Sequence, residues 1–201
     1  KGNSIWYYVD LLPYFSSLRN SVYSNKTHPP YSPEDWREYY QIITIHDTAN
    51  AVRFGNWINS NIFGYSGQSI YAGIQDSASV TYYFDVPADG FYEVYAFQVT
   101  AVNRNEEAAY KVFDSNGNET NVIVNQKNIN NRRWYKLADV NLKKGKQKVF
   151  VVTNENLPTN SFVSADAGFI KLNRFLSPDV VGVSDKNRDE INEKDFNFKL
   201  R

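Results

Sequence analysis

Asp47 and Asp166 are the two acidic residues whose surroundings favour a chemical or structural role. Asp47 follows an apolar segment, and Asp166 lies between two alanines in the run "SADAGFIKL" (164–172). A pair of carboxylates performs glycoside hydrolysis when the two groups flank one glycosidic bond. A carboxylate at a strand end or turn can instead accept hydrogen bonds from backbone N–H groups and fix the local fold. We favour the structural role for both aspartates, because nothing else in the sequence completes a site that activates water.

Histidine and cysteine chemistry finds little support in this sequence. The only imidazoles are His28, in a proline-rich segment, and His46, at an expected strand end, and there is no cysteine. A thiol mechanism is therefore excluded, and no H-x-x-x-H pair indicates a zinc site. Carboxylates and asparagine carbonyls suit calcium, but no D-x-D-x-D-G loop occurs, so calcium binding stays open. We expect no catalytic residue, no metal site and no cofactor.

Aromatic residues in loop-like segments are the candidates for ligand binding. The segment "GNWINSNIFGYSGQS" (55–69) places rings among glycines and amides, and "VNQKNINNRRWY" (124–135) is a second asparagine-rich loop. Ring faces can contact the C–H groups of a sugar while amides bond to its hydroxyl groups. The candidate ligand-binding residues are Tyr65, Trp57, Asn128, Asn130, Arg132 and Trp134.

The overall composition restricts the class of partner. Lys+Arg and Asp+Glu both number 22, so the net charge is zero and no long-range field attracts a polyanion. No apolar run approaches the roughly 20 residues that a membrane-spanning helix needs. We therefore expect neither nucleic acid nor a membrane span. The 15 Tyr, 13 Phe and 4 Trp suit sugar contacts, but they also suit an ordinary aromatic β-sandwich.

Alternating residues predict the strands that would position these groups. In "ASVTYYFDV" (78–86) apolar and polar residues alternate, which predicts a strand with one core face and one wetter face. The turn motifs "PADG" (87–90), "SNGN" (115–118) and "KKGK" (143–146) separate such segments. Short strands separated by turn motifs at intervals of roughly 8 to 14 residues predict an all-β fold, a sandwich or jelly roll, rather than βαβ units. The charged segment 99–109, with Arg104, Glu106 and Glu107, is predicted to be a solvated loop.

The composition divides the chain into three parts. Residues 1–40 are rich in aromatic residues and proline, with short helical stretches, and are interpreted as an N-terminal wrap or the end of a preceding domain. Residues 41–176 carry the strand pattern and form the predicted core domain. Residues 177–201 are polar and charged, which indicates a tail or linker, although "DFNFKLR" alternates enough to add an edge strand.

Four segments in order resemble the golvesin C-terminal-like domain, also described as the xanthan-lyase carbohydrate-binding-like domain. They are residues 46–73, 78–97, 132–145 and 164–172. The motifs that carry the resemblance are Asp47, Gly55-x-Trp57, Gly64-Tyr65-x-Gly67, Tyr92-x-Val94-Tyr95, Trp134-x-x-Leu137 and Ala165-Asp166-Ala167. The chain departs from the family pattern near Gly168 and Lys171, where the family usually has a β-branched residue and an arginine.

The resemblance implies a jelly-roll β-sandwich of galactose-binding type that serves as a non-catalytic module. It also implies that Trp57 and Trp134, as family-pattern positions, are core residues. We therefore expect a carbohydrate-binding-like accessory module of a secreted, periplasmic or bacterial surface protein, with a polysaccharide and a neighbouring domain as partners. The alternative is a structural or adhesive sandwich that binds no sugar. A polysaccharide hydrolase or lyase using acid and base residues is a third, less favoured hypothesis.

Overall fold

A computed structural model describes residues 40–74, 77–131, 133–173, 175–177 and 180. The predicted helical stretches of the N-terminal segment and the predicted edge strand in "DFNFKLR" lie outside these residues. Strands make up most of the described part, and its one helical element is a 3-10 turn at Ile129–Asn131. The prediction of an all-β fold is confirmed.

The described residues form twelve strands. In chain order they are β1 Tyr40–Thr44, β2 Ala51–Phe54, β3 Ile58–Phe63, β4 Gln68–Ala72, β5 Ser79–Val86, β6 Gly90–Phe97, β7 Ala108–Phe113, β8 Glu119–Val124, β9 Trp134–Leu142, β10 Gly145–Thr153, β11 Val163–Ala165 and β12 Ala167–Leu172.

The strands assemble into a jelly-roll sandwich. One sheet has the order β1-β12-β6-β9, the second has β2-β5-β10-β7-β8, and a three-stranded sheet has β11-β4-β3. All pairs of named strands are antiparallel. The turns "PADG" and "KKGK" each carry the chain from one sheet to the other, whereas "SNGN" closes a true hairpin between β7 and β8. Gly117 in that hairpin turn has φ of 82°, a conformation that glycine adopts at little cost.

Aromatic residues of the facing sheets fill the core. Strand β5 alternates buried and less buried residues as predicted. Its Tyr82 ring stacks on Phe150 of β10, with ring centroids 4.3 Å apart and planes 17° apart. A Cβ atom at Gly168 would lie 2.6 Å from two ring atoms of Phe150. Gly168 is a position where the chain departs from the family pattern. Because glycine has no Cβ atom, it leaves room for the Phe150 ring.

The first and last strands are neighbours. Strand β1 pairs with β12, and the pairing ends at Thr44 opposite Ala167. The backbone N–H of Ile45 then donates a 2.8 Å hydrogen bond to the carbonyl of Asp166. This pairing brings the loop that contains Asp47 to the strand end that contains Asp166.

Candidate functional site

Asp166 is a buried residue that holds a turn in place. Its side chain is 3% exposed, and its Oδ2 accepts a 2.6 Å hydrogen bond from the backbone N–H of Tyr65. A Cβ atom at Gly64 would lie 1.9 Å from Asp166 Oδ1, so the turn approaches the carboxylate more closely than any other residue type allows. The Tyr82 hydroxyl is hydrogen-bonded to the Asp166 backbone, and burial, together with Tyr110 and the Asp166 carboxylate, raises the Tyr82 pKa.

Asp47 organises a different loop. Its Oδ2 accepts a 2.9 Å hydrogen bond from the side-chain amide of Asn50, and its carbonyl accepts from the N–H groups of Asn50 and Ala51. Asp47 and Asp166 thus bond to donors of two separate loops. These contacts are typical of structural carboxylates rather than of a catalytic pair.

Two of the candidate ligand residues, Tyr65 and Trp134, meet in an aromatic cluster with Phe97 and Phe169. The Tyr65 and Trp134 ring centroids are 5.1 Å apart, and Trp134 also contacts Phe97 and Phe169 at 5.3 and 5.6 Å. The rings are inclined to one another by 54° to 81°, so they interlock instead of forming one flat face. Burial, followed by the nearby Tyr40, raises the pKa of Tyr65.

Trp57 has different surroundings. Its indole N–H is shared by the carbonyls of Phe54 and Ser79, each at 3.1 Å, and its ring packs against the main core. The donor is therefore already used inside the protein. This placement favours the core role over ligand binding.

A cleft of about 790 Å³ opens where three loops meet. The β6–β7, β8–β9 and β10–β11 loops supply most of its walls, and Tyr135 of β9 adds a half-buried ring. Amide and hydroxyl side chains dominate the lining, among them Gln98, Asn103, Asn105, Asn125, Thr159 and Asn160. We call this feature the loop cleft.

Two side chains of the loop cleft carry buried polar atoms without a hydrogen-bond partner. They are Oε1 of Gln98 and Nδ2 of Asn105, whose residues are 1% and 4% exposed. Such atoms cost about 1–3 kcal/mol each when nothing satisfies them. One atom is a hydrogen-bond acceptor and the other is a donor, so the cleft contains both kinds of hydrogen-bonding group.

Comparison with known families decides the classification. The Golvesin C-terminal domain family model matches residues 41–174, which is well over half of the chain. The chain belongs to the Golvesin C-terminal domain family. The resemblance predicted from the sequence motifs is thus confirmed. No curated protein matches the chain in sequence.

The solved structures that are similar to this golvesin domain include a Paenibacillus protein that shares its fold. A Paenibacillus xanthan lyase is 25% identical with a TM-score of 0.59, and the match covers 68% of this chain and 13% of the lyase. A Podospora anserina GH26-CBM35 β-(1,4)-mannanase is 12% identical with a TM-score of 0.49, covering 67% of this chain and 28% of that one. A family 35 carbohydrate-binding module from Clostridium thermocellum is 12% identical with a TM-score of 0.46, covering 67% and 98%.

Arg104 of the golvesin domain corrects one prediction, because it lies in the segment that was expected to be solvated. It is 4% exposed, and its Nε donates to Ser164 Oγ of β11 while Nη1 donates to Asn103 Oδ1 at 2.7 Å. Its guanidinium also lies 4.9 Å from the centre of the Tyr71 ring. Burial lowers the Arg104 pKa, and Tyr71 partly opposes that effect. Arg104 therefore anchors the β6–β7 loop to the sandwich.

Gln126 anchors the β8–β9 loop of the golvesin domain in a similar way. Its side-chain amide donates to the Tyr110 hydroxyl and to the Ser164 carbonyl, both at 2.9 Å, and accepts from the Ser164 N–H at 2.7 Å. Its backbone exchanges hydrogen bonds with the β6–β7 loop at Ala101 and Asn105. Two walls of the loop cleft are therefore held together before any ligand arrives.

The remaining candidate residues belong to the β8–β9 loop. Asn128 and Asn130 are exposed, and Asn128 Oδ1 accepts from the Asn130 N–H at 3.1 Å. Neither is among the described residues that line the loop cleft. Arg132 lies outside the described residues. Sequence reasoning missed Gln98 and Asn105, since no spacing rule distinguishes a buried amide from an exposed one.

Metal and membrane features can be assessed for the described part of the golvesin domain. No group of three or more His, Asp or Glu residues there is placed to hold a metal ion. No helix within the described ranges combines the length and apolar character needed to span a membrane.

Proposed function

We propose that this golvesin domain is a non-catalytic carbohydrate-binding module and that the loop cleft is its binding site. The observation that carries the proposal is the pair of buried, unpaired amide atoms of Gln98 and Asn105 in that cleft. Each sugar hydroxyl both donates and accepts a hydrogen bond, so neighbouring hydroxyls can satisfy the Gln98 acceptor and the Asn105 donor together. Because both atoms are buried in the unliganded fold, binding includes a rotation of the two amides towards the ligand, which then removes their desolvation penalty.

The size and anchoring of the loop cleft support this function. Its volume lies within the range of ordinary ligand sites. Tyr135 offers a ring for C–H contacts, and the exposed Val102 and Ile123 add apolar area beside the amides. Because Arg104 and Gln126 tie the loops to the sheets, little ordering cost accompanies binding.

The proposed biological role is that of an accessory domain. The matching Paenibacillus protein is a xanthan lyase, and this chain covers 13% of it. We propose that the domain keeps a partner domain close to a polysaccharide in a secreted, periplasmic or surface-exposed bacterial protein. The exposed Asn128 and Asn130 of the β8–β9 loop are proposed to extend the binding surface beyond the loop cleft. Tyr65 and Trp134, whose rings contact each other, are proposed to support this loop where it joins β9.

A second candidate role is packing against a neighbouring domain. Strands β2 and β3 are edge strands, and they expose the large apolar side chains of Phe54, Ile58 and Phe63. Large apolar side chains exposed on edge strands are typical of an interaction surface. This role uses a different part of the sandwich and is compatible with glycan binding in the loop cleft.

Affinity gel electrophoresis tests the binding proposal. We expect at least one polymer to retard the domain in a panel of neutral galactomannan, xyloglucan and β-1,3-glucan and acidic xanthan, alginate and polygalacturonate. Asn105→Leu should abolish the retardation. Asn50→Leu is the matched control, because Asn50 also has a buried unpaired amide atom, Oδ1, but does not line the cleft. Circular dichroism checks that both variants fold.

Two outcomes would overturn the proposal. The absence of retardation by every polymer would exclude glycan binding in favour of the packing role. Release of new reducing or unsaturated ends from a polymer, abolished in a folded Asp166→Asn variant, would show that the domain is an enzyme.

A further inference from the structure

We infer that the loop cleft selects uncharged sugars and discriminates against sugars that carry a carboxylate. This inference rests on the proposed function and adds the chemical class of the ligand. It follows from the way the four charged residues of the lining are used: Arg104, Lys127, Glu106 and Glu107.

Both cations of the lining have partners within the protein. Lys127 Nζ already lies 2.8 Å from Glu106 Oε1. Arg104 directs its guanidinium into the protein, towards Ser164 of β11 and Ser60 of β3, and stacks it over Tyr71. Recognition of a carboxylate in proteins typically uses an arginine whose N–H groups face the ligand in pairs. Here three of the five N–H groups donate to Ser164, Asn103 and Ser60, and the arginine is 4% exposed.

The formal charges of the lining sum to zero, and one exposed carboxylate among them has no ion-pair partner in the described part of the chain. Glu107 is exposed and forms no ion pair with a described residue. A ligand carboxylate that approaches Glu107 would therefore meet a like charge. An uncharged sugar meets no such repulsion.

The neutral groups of the lining match hydroxyl groups. Gln98 offers an unpaired acceptor and Asn105 an unpaired donor, both buried. A carboxylate can only accept hydrogen bonds, so one placed beside Gln98 would leave that acceptor unsatisfied. A hydroxyl group in the same place can donate to Gln98, and a hydroxyl can also accept from Asn105. The hydrogen-bond pattern and the charge pattern thus favour the same ligand class.

The test compares one polymer in two chemical forms. The neutral polysaccharide that retards the domain most strongly is oxidised at its C6 hydroxyls to carboxylates, and the dissociation constants of both forms are measured at low salt. We expect the oxidised form to bind about two- to fivefold more weakly, the scale of an exposed charge contact. In 1 M NaCl, where the screening length falls to about 3 Å, most of the charge-dependent part of this difference should disappear.

A pair of variants separates the charge effect from the loss of the C6 hydroxyl. Glu107→Gln should lower the ratio of the dissociation constant of the oxidised polymer to that of the neutral polymer, and this ratio is the quantity compared with the wild type. Asp85→Asn is the control, since Asp85 is an exposed carboxylate on β5 outside the cleft, and it should change neither affinity.

The outcomes distinguish this inference from the proposed function. If only acidic polymers of the panel bind, or if the oxidised form binds as tightly as the neutral one, the cleft does not select against carboxylates, although it still binds glycans. If no polymer binds, the proposed function fails, and this inference fails with it.

Discussion

The Asp166 carboxylate accepts a 2.6 Å hydrogen bond from the backbone N–H of Tyr65, a residue 101 positions away, whose ring contacts Trp134 at 5.1 Å. One buried carboxylate thus fixes the turn at Gly64 and, through it, the position of an aromatic ring on the outer side of the sheet. The backbone N–H of Tyr65 needs an acceptor, and Asp166 supplies it from within an otherwise small and apolar run. The contact connects a strand end, a glycine turn and the aromatic cluster.

Removal of this carboxylate should destabilise the domain. Asp166→Ala leaves the Tyr65 N–H without its acceptor, so we expect the free energy of unfolding to fall by about 1–3 kcal/mol. Asp166→Asn keeps an oxygen acceptor and should lose less. Urea unfolding monitored by tryptophan fluorescence measures both changes. An Asp166→Ala variant as stable as the wild type would show that the turn does not depend on this bond.

Gly168 should be intolerant of any side chain. In Gly168→Ala the new methyl group would meet the Phe150 ring at 2.6 Å, and we expect a loss of about 1–3 kcal/mol from overpacking. Gly73→Ala is the matched control, because a Cβ there meets Phe162 at an ordinary contact distance of 3.4 Å. Thermal unfolding compares the two variants. Equal melting temperatures would contradict the steric explanation for the departure from the family pattern.

Asn105 should reduce stability while supporting binding. Its Nδ2 is buried and unpaired, so Asn105→Leu removes a desolvation penalty while the backbone bonds to Phe162 and Gln126 remain. We expect the free energy of unfolding to stay level or rise by about 1 kcal/mol, while glycan affinity falls at least tenfold. Calorimetric unfolding and affinity electrophoresis of the same preparation check that affinity falls while stability does not. A variant that loses stability and affinity in parallel would instead indicate a purely structural residue.

Asp114 should make the stability of the β7–β8 hairpin dependent on pH. Hydrogen bonds from the Asn118 side chain, then from the backbone N–H groups of Asn118 and Asn116, hold the Asp114 pKa below its usual 3.8. Because the pKa is lower in the folded state, the stabilisation is fully present above the unfolded pKa of about 4. It is lost as the pH falls through the folded pKa.

Unfolding at two pH values measures this dependence. The stability difference between the wild type and Asp114→Asn should be larger at pH 7 than at pH 2, and the Asp114 carboxyl carbon should titrate below 3.8 by NMR. An equal stability difference at both pH values would mean that the folded hairpin does not stabilise the ionised form of Asp114 over the protonated form.

Local patterns predicted much of this fold. Alternation in residues 78–86 predicted β5 and its core face, since a pleated strand places every second side chain on the same side. The motif "SNGN" predicted a hairpin turn, because positive φ is a property of the glycine itself. The ordered motifs from Asp47 to Asp166 predicted the family that the match over residues 41–174 confirmed.

The candidate site depended on information that local patterns do not contain. The sequence indicated aromatic and amide-rich loops, and Tyr65 and Trp134 do come together, but the burial of Arg104 and the unpaired atoms of Gln98 and Asn105 were not foreseen. Burial of a loop residue depends on which other loop packs over it. Asn105, for example, is hydrogen-bonded to the β8–β9 and β10–β11 loops, which are tens of residues away in the sequence.

Strands, turn residues and family membership could therefore be predicted from the sequence, because they follow from side-chain periodicity, backbone preference and ordered motifs. The tertiary structure alone decided that β5 pairs with β2 and β10 rather than with the β6 strand that follows it. It also decided that three loops enclose one cleft, with Arg104 turned inwards and Glu107 left outside. The physical reason is that burial and hydrogen-bond satisfaction are set by contacts between distant residues, and those contacts exist only once both sheets have packed.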